Sequence, residues 1–373
     1  MKNISVIFGG KSVEHDISII TALQVMWNLP KNYNLIPIYI KPNGKFITAK
    51  NLTENKLYLN YDKEVVGETE VAFMPASQEL ASFKKGKIKD KIKIDCAVLC
   101  NHGHGGEDGS LQGLLEIAEV PYTSCDVASS AICMDKVLSK IMLEGADIST
   151  PAYLHFGICE YKKNKEEILG KIGKKIKFPC IVKPARLGSS VGIGICENEA
   201  GLEGQIENAF QFDDKIIVEK FIENAREFCC AVLKNSGQLF ESRVVEVDKG
   251  KFFTFEEKYL KEKQKGNKEI TKLLDEQIKQ MAKEVYNILS CDGVVRVDFL
   301  YDAKNEKLFV NEVNSIPGSL AFNLFNTTFG DILSSLINDA IIRNQEKNKI
   351  LYQFNSTAIE NYINLTSSLK SKI

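Results

Sequence analysis

The segment Arg296 to Pro317, RVDFLYDAKNEKLFVNEVNSIP, leaves a folding chain few choices. Two apolar runs, VVRVDFLY and KLFVNEVN, flank polar residues around Lys304, Asn305 and Glu306. Such a pattern predicts a β-hairpin. Side chains alternate across a strand, so Arg296 shares a face with Asp298, and Glu312 shares one with Asn314. These polar groups interrupt strands otherwise built from Val, Phe and Leu. If the two faces coincide, two carboxylates, an amide oxygen and a guanidinium meet in one place. Hard oxygen donors suit Mg²⁺, which keeps several waters and binds nucleotide phosphates. A guanidinium beside them can stabilise a developing negative charge. The hairpin alone fits a salt-bridged strand pair with a solvated face equally well.

The chain of 373 residues has room for two or three domains. Its 44% apolar and 26% charged content is that of a soluble globular protein. A net charge of −1 argues against nucleic acid as the main partner. No window approaches the ~20 apolar residues that span a bilayer, and two glycines cut short the apolar start MKNISVIFGG. A cytoplasmic protein without a membrane partner is expected. The ten cysteines include no C-x-x-C pair and mostly sit in apolar runs, which favours reduced core thiols over disulfides or metal ligands. Adjacent Cys229 and Cys230 would point to opposite faces of a strand.

Strand, turn and helix alternate early in the chain. Residues 3–8 read as a buried strand, a helix starts near Asp16, buried runs follow at 35–40 and 94–100, and a helix lies at 110–118. This is the pattern of an open α/β layer. The segment 45–93 is polar, and its Lys-rich part, 84–93, reads as an exposed hairpin or loop. A second unit begins near Thr123, with helices at 135–145 and 161–172 and strands at 179–183 and 192–197. A third has strands at 215–221, 226–234 and 237–247, a charged loop at 248–268, a helix at 269–290, the hairpin, and a helix at 329–344.

IVKPARLGSSVGIGI (181–195) is the second strong signal. Lys183 leads into a loop holding Gly188, Ser189, Ser190, Gly192 and Gly194. Glycines let backbone amides approach a phosphate, and the hydroxyls add donors. The segment matches neither a Walker A loop nor the dinucleotide fingerprint. It reads as a glycine-rich hairpin closing over phosphates, or as a plain flexible turn. Glu219 and Glu227 fall on adjacent apolar strands and could accept hydrogen bonds from adenine or ribose; charge at strand ends is the plainer alternative. Glu14, in GGKSVEHDIS after the first strand, could hold an ammonium group. His102 and His104 form an H-x-H array in NHGHGGEDGSLQG, but the chain has only four histidines, with His15 and His155, and no further cluster. A hydrogen-bonding loop is therefore preferred to a metal centre, with Glu107 and Asp108 capping the next helix.

Together these motifs resemble the D-alanine–D-alanine ligases of the ATP-grasp superfamily. The resemblance covers roughly residues 1–330 and includes GGKSVEHDIS, HGHGGEDGSLQG, PYTSCDVASSAICMDK, VKPARLGSSVG, VEKFIENAREF, EEKYL and RVDF…NEVNSIPG, in that order. It implies an α/β, ATP-grasp fold of three units: an N-terminal substrate domain (1–122), a central domain with the phosphate loop (123–214), and a C-terminal domain with the hairpin, a lid and a tail (215–373). ATP would lie between the last two.

By the same resemblance Lys136, Lys183, Ser189, Ser190, Glu219, Ile222, Glu227 and Lys258 are expected at ATP. Asp298, Glu312 and Asn314 would hold Mg²⁺, as two ions, with Mn²⁺ as a substitute. Glu14 would hold the first amino acid's ammonium, joined to Ser189 and Tyr259. Arg296 and the backbone of Gly318 would stabilise the tetrahedral intermediate, with His102 and Lys258 beside them. The implied reaction joins two D-alanines through an acyl phosphate for peptidoglycan precursors, in a homodimer. Two departures fall around the acceptor. PGSLAFNL stands where the family usually has a PGMTSHS-like run, which puts Asn323 in the place of a serine that helps bind the second substrate. The lid after Lys258 and Tyr259 reads KEKQKGNKEI, without the usual Pro-Ala. A paralogous ligase with another acceptor, such as D-serine, D-lactate or another amino acid, is the alternative, and an inactive nucleotide-binding paralogue is a further one.

Overall fold

The computed structural model describes residues 1–247, 270–352 and 354–370. Among them, seven strands build the N-terminal sheet: β1 (Lys2–Gly9), β2 (Tyr33–Ile40), β3 (Phe46–Thr48), β4 (Thr69–Phe73), β5 (Glu79–Lys84), β6 (Lys87–Lys93) and β7 (Cys96–Leu99). Their order is β6-β5-β4-β3-β2-β1-β7. β1 pairs in parallel with β2 on one side and β7 on the other. Its Ile4, Val6, Ile7 and Phe8 are fully buried, as a parallel strand covered on both faces requires. Helix α1 (His15–Asn28) makes the crossover from β1 to β2. The remaining pairs, β2–β3 through β5–β6, are antiparallel. Most of them arise in the polar 45–93 segment, where only one hairpin is legible, because short strands with one solvated face carry no continuous apolar run. That hairpin is β5–β6, and every residue of β6 is exposed. Lysines on such an edge deter pairing with another chain.

The other helices are α2 (Tyr61–Glu64), α3 (Ser110–Ile117), α4 (Val127–Met134), α5 (Lys136–Gly145), α6 (Ile158–Lys175), α7 (Leu202–Ala209), α8 (Lys272–Ile288), α9 (Phe329–Lys347) and α10 (Ala358–Lys370). A second sheet holds β8 (Tyr153–Gly157), β9 (Cys180–Pro184), β10 (Gly194–Cys196) and β11 (Lys215–Lys220), in the order β10-β9-β11-β8. β11, which the sequence groups with the third unit, thus pairs with β9 and β8. The third sheet holds β12 (Arg226–Asn235), β13 (Gln238–Glu241), β14 (Val245–Val247), β15 (Val294–Asp302) and β16 (Lys307–Asn314), in the order β13-β12-β15-β16 with β14 against β12. Glu219 and Glu227 therefore lie on different sheets, not on neighbouring strands of one. The single strand expected at 237–247 is two, because Ser242 leaves the ladder and its Oγ accepts the Ala231 amide at 2.9 Å.

Strand β12 separates two cores. Cys229, Ala231 and Leu233 face the core that includes β1, α1 and α9. Phe228, Cys230 and Val232 face the core under α8. Cys229 and Cys230 point apart, as period-2 alternation dictates. All ten cysteines are free, and nine of them are buried. The first core also takes in Ile316, Leu320, Ala321 and Leu324 from just beyond β16, so the end of the hairpin packs on the N-terminal unit. Each such fully buried Leu or Ile contributes about 1.5–3 kcal/mol. In the tail, Leu351, Phe354, Ile359 and Tyr362 are exposed. No helix among the described residues is long and apolar enough to cross a membrane.

Candidate active site

Glu14 stands at the N-cap of α1, but its side chain makes no capping bond. It is buried instead against the glycine-rich loop, where Ser189 Oγ donates to Glu14 Oε1 across 175 residues of sequence. Two glycines allow this approach. A Cβ on Gly188 would lie 2.9 Å from the Glu14 carboxylate oxygens, and one on Gly103 would lie 2.7 Å from Oε2. His15 is a structural neighbour, with Nδ1 2.6 Å from the Gly10 carbonyl and Nε2 2.9 Å from the Tyr39 hydroxyl.

The two histidines of the H-x-H array do not converge. His104 is exposed and pairs with Asp108 at 2.8 Å. His102 is buried, with Nε2 2.9 Å from Thr21 Oγ1. Burial pulls its pKa down to about 4, against the backbone of Ile316, which favours the proton, so the ring is neutral near pH 7. Asp108 stands one residue before the N-cap, Gly109, and its Oδ1 accepts the Ser110 amide at 3.0 Å. Glu107 does not cap the helix. It is buried and reaches across the molecule, taking the Gly103 amide on Oε2 at 2.9 Å and the Ile316 amide on Oε1 at 3.1 Å. Burial and the nearby Glu14 carboxylate push its pKa up, to about 8.

A lysine cluster lies between the central sheet and the hairpin. Lys183 sits opposite Ile217, which puts Glu219 diagonally across on the same face of β11. Lys183 Nζ meets Glu219 Oε2 at 2.6 Å, and Lys140 Nζ lies 3.0 Å from Oε1. Burial raises the Glu219 pKa, but the two ammonium groups outweigh it and hold the carboxyl at about 2. Glu219 is therefore a buried, doubly paired charge, not surface charge at a strand end. Lys136, one helical turn before Lys140, donates to the Leu187 carbonyl at 2.6 Å and lies 3.7 Å from Glu312 Oε2. Ser189 and Ser190 bend the loop with φ of 52° and 59°. Glu227 is half-buried on β12, opposite Leu300 and Val247. Half-buried Ile222 follows β11, and its carbonyl accepts the Ala225 amide at 3.3 Å.

In the hairpin, Arg296 pairs with Asn314 and Asp298 with Glu312, so the two polar faces coincide. The register then slips between Asp298 and Phe299, leaving Asn311 as the extra residue of a bulge. The bulge aims Asn311 at the lysines: Oδ1 accepts Lys183 at 3.2 Å, and its carbonyl accepts Lys140 at 3.3 Å. Arg296 grips Asp298 with two bonds, of 2.7 and 2.8 Å, and Asn314 Nδ2 adds a third at 3.1 Å. The salt-bridged strand pair is thus present, on the face that also carries Glu312 and Asn314. Among the described residues no three His, Cys, Asp or Glu side chains gather as a metal site. Two carboxylates and one amide oxygen instead fit a magnesium ion that completes its shell with phosphate and water.

Beyond β16 the chain makes a short helical turn, Gly318–Leu324, in which Ser319, Leu320 and Ala321 have φ of 52°, 50° and 52°. Three successive non-glycine residues in the left-handed region cost roughly 1–2 kcal/mol each. Asn323 is exposed, and its carbonyl accepts Arg243 Nη2 at 2.9 Å. Lys258 and Tyr259 lie outside the described residues. Sequence reasoning missed Thr21, Glu107's true contacts, Lys140 and Asn311. Lys140 had a signal, its spacing of one helical turn from Lys136. The bulge at Asn311 had none.

The family profile described as D-ala D-ala ligase N-terminus matches residues 3–125, and that described as D-ala D-ala ligase C-terminus matches residues 142–337. A D-alanine–D-alanine ligase of Thermosipho melanesiensis is 40% identical over 358 residues, 93% of this chain and 96% of that protein. One of Thermosipho africanus is 39% identical over 371 residues, 96% of this chain and 99% of that protein. Among solved structures, the D-alanine–D-alanine ligase of Coxiella burnetii superposes with a TM-score of 0.79 at 28% identity, covering 93% of this chain and 96% of that one. The VanG D-Ala:D-Ser ligase of Enterococcus faecalis gives 0.77 at 31% identity, covering 91% and 99%. Both halves of the sequence, the order of the motifs and the three-sheet fold agree: the chain belongs to the D-alanine–D-alanine ligase family, within the ATP-grasp superfamily.

Proposed function

We infer that this protein joins two molecules of D-alanine, at the expense of ATP, into the dipeptide used for peptidoglycan precursors. The observation that carries this reading is the Ser189–Glu14 bond, which joins the glycine-rich loop to the side-chain carboxylate of Glu14. In the reaction a carboxylate oxygen of the first D-alanine attacks the γ-phosphorus of ATP, and ADP leaves. The second amine attacks the acyl carbon, loses its proton, and phosphate leaves. Such steps need positioning and charge neutralisation more than a nucleophilic side chain.

Each residue then has a role. Glu14, held by Ser189, orients the first ammonium, with Tyr259 joining them. Lys136, Lys183, Ser189 and Ser190 meet phosphate, while Glu219, Ile222, Glu227 and Lys258 complete the nucleotide site; Glu219 sets the direction of Lys183. Arg296 and the Gly318 amide face the tetrahedral oxyanion, with His102 beside them. Magnesium, as two ions on Asp298, Glu312 and Asn314 or with manganese in its place, neutralises phosphate charge when bound. The protein acts in the cytoplasm as a homodimer. A D-serine acceptor is the second reading, favoured by Asn323 in the exposed turn and by the likeness to a D-Ala:D-Ser ligase.

The test is phosphate release and product mass with ATP, Mg²⁺ and a panel of D- and L-amino acids and D-lactate. D-alanine alone is expected to release phosphate and give the homodipeptide. Turnover only on a mixed pair would move the assignment to the second reading. ATP binding without turnover on any pair would overturn both. Glu312→Gln is expected to abolish turnover with a smaller loss of ATP affinity, and an active variant would sink the metal assignment.

A further inference from the structure

Thr21 has no place in the chemistry above, yet it is buried at the meeting point of three distant segments. Its Oγ1 lies 2.9 Å from His102 Nε2 and accepts the Ser319 amide at 3.1 Å. We propose that Thr21 is a positioning residue for the acceptor half of the reaction, acting through the His102 ring and the left-handed turn after the hairpin. The inference rests on the ligase reading and adds to it the device that holds the turn.

A threonine hydroxyl carries one hydrogen and two lone pairs. Accepting the Ser319 amide uses one lone pair and leaves the hydrogen and the other lone pair to meet His102 Nε2. The ring is held at Nε2 by the hydroxyl, and the Ile316 backbone favours its proton. The hydroxyl thus holds both the orientation of the His102 ring and the start of the turn. Glu107 makes the matching contact one step earlier, at the Ile316 amide. The two held amides bracket Gly318, whose own amide lies between them, and Leu320 N closes the turn on the Pro317 carbonyl at 2.8 Å. A strained backbone persists only where its surroundings over-determine it. Here those surroundings are Thr21 at one end, Arg243 on the Asn323 carbonyl at the other, and the burial of Leu320 and Ala321 between them.

Two half-reactions separate this role from a merely structural one. With hydroxylamine as acceptor, acyl-phosphate formation is read as D-alanyl hydroxamate without the acceptor pocket. With D-alanine as acceptor, the whole site is read. Thr21→Val keeps the shape and removes the hydroxyl; Thr21→Ser restores it. The expected result is a Thr21→Val protein whose hydroxamate rate and KM for ATP stay within about twofold of wild type. Its dipeptide formation falls about tenfold, mainly through the KM for the second D-alanine, and serine recovers most of the loss. Should valine prevent folding, Thr21→Ala makes the same comparison. Equal loss in both assays, no loss in either, or failure of serine to rescue would overturn the proposal. A wild-type protein that forms neither hydroxamate nor dipeptide would instead overturn the ligase reading itself.

Discussion

Glu219 keeps its charge in a buried site because Lys140 and Lys183 take one oxygen each. His102 solves the opposite problem by giving up its charge. Both choices make the protein sensitive to acid, in different windows. The His102 pKa falls from 6.5 to about 4 on folding. A depressed folded pKa contributes stability above the unfolded value, and that stability is lost as pH falls from about 6.5 toward 4. The full shift corresponds to about 3 kcal/mol. Glu219 loses its contribution lower, between about 4.5 and 2. Glu107, raised to about 8, works in the reverse sense and favours the folded state at low pH. The His102 part is isolated by urea unfolding of wild type and His102→Asn at pH 7 and pH 4.5. Wild type is expected to lose more stability than the variant, and parallel losses would refute a buried neutral ring.

Among the elements, the hairpin and the turn beyond it divide the work. The hairpin is regular where it presents Arg296, Asp298, Glu312 and Asn314, and irregular at Asn311, where it docks on Lys183 and Lys140. The turn is strained throughout its middle. Of its three left-handed residues, Leu320 and Ala321 bury their side chains and Ser319 does not. Glycine at 319 removes the Cβ penalty and adds about 0.5–1 kcal/mol of backbone entropy cost. Ser319→Gly is therefore expected to stabilise the protein slightly, with a Tm rise of roughly 1–2 °C. A fall in Tm by calorimetry would show that the left-handed turn is not under strain. Leu320→Gly is expected to lower Tm, because the lost burial outweighs the relief.

Over the whole molecule, one arginine joins the units. Arg343 of α9 donates to the Tyr122 carbonyl at 2.9 Å and to the Ser124 carbonyl at 3.3 Å, at the exit from the N-terminal sheet. It pairs with Asp292 at 3.0 Å, between α8 and β15, and with buried Asp339 at 3.2 Å. Removing it leaves buried Asp339 and two carbonyls without their cation, while Asp292 keeps only Lys234, at 3.1 Å. Arg343→Met is expected to cost about 3–5 kcal/mol, read from the urea midpoint. Pairing it with Asp339→Asn is expected to recover part of the loss. A midpoint shift worth less than about 1 kcal/mol would show that the units are held by their shared apolar core alone.

Composition and periodicity determined much of this protein. Apolar runs fixed β1, β2, β7 and β9, and period-2 alternation placed Arg296 with Asp298 and Glu312 with Asn314 before any pairing was known. The resemblance brought Glu14 together with Ser189, and the geometry joins them. These features are local, or are carried by residues whose chemistry is unusual where they stand. Tertiary structure decided the rest. β11 joined the central sheet, and Glu107 turned from a helix cap to the Ile316 amide. A bulge aimed Asn311, and Thr21 met Ser319 across 298 residues. The physical reason is common to all four. A bulge, a left-handed turn or a buried polar contact is favourable only after distant segments have packed, so no window of sequence contains the partner that stabilises it.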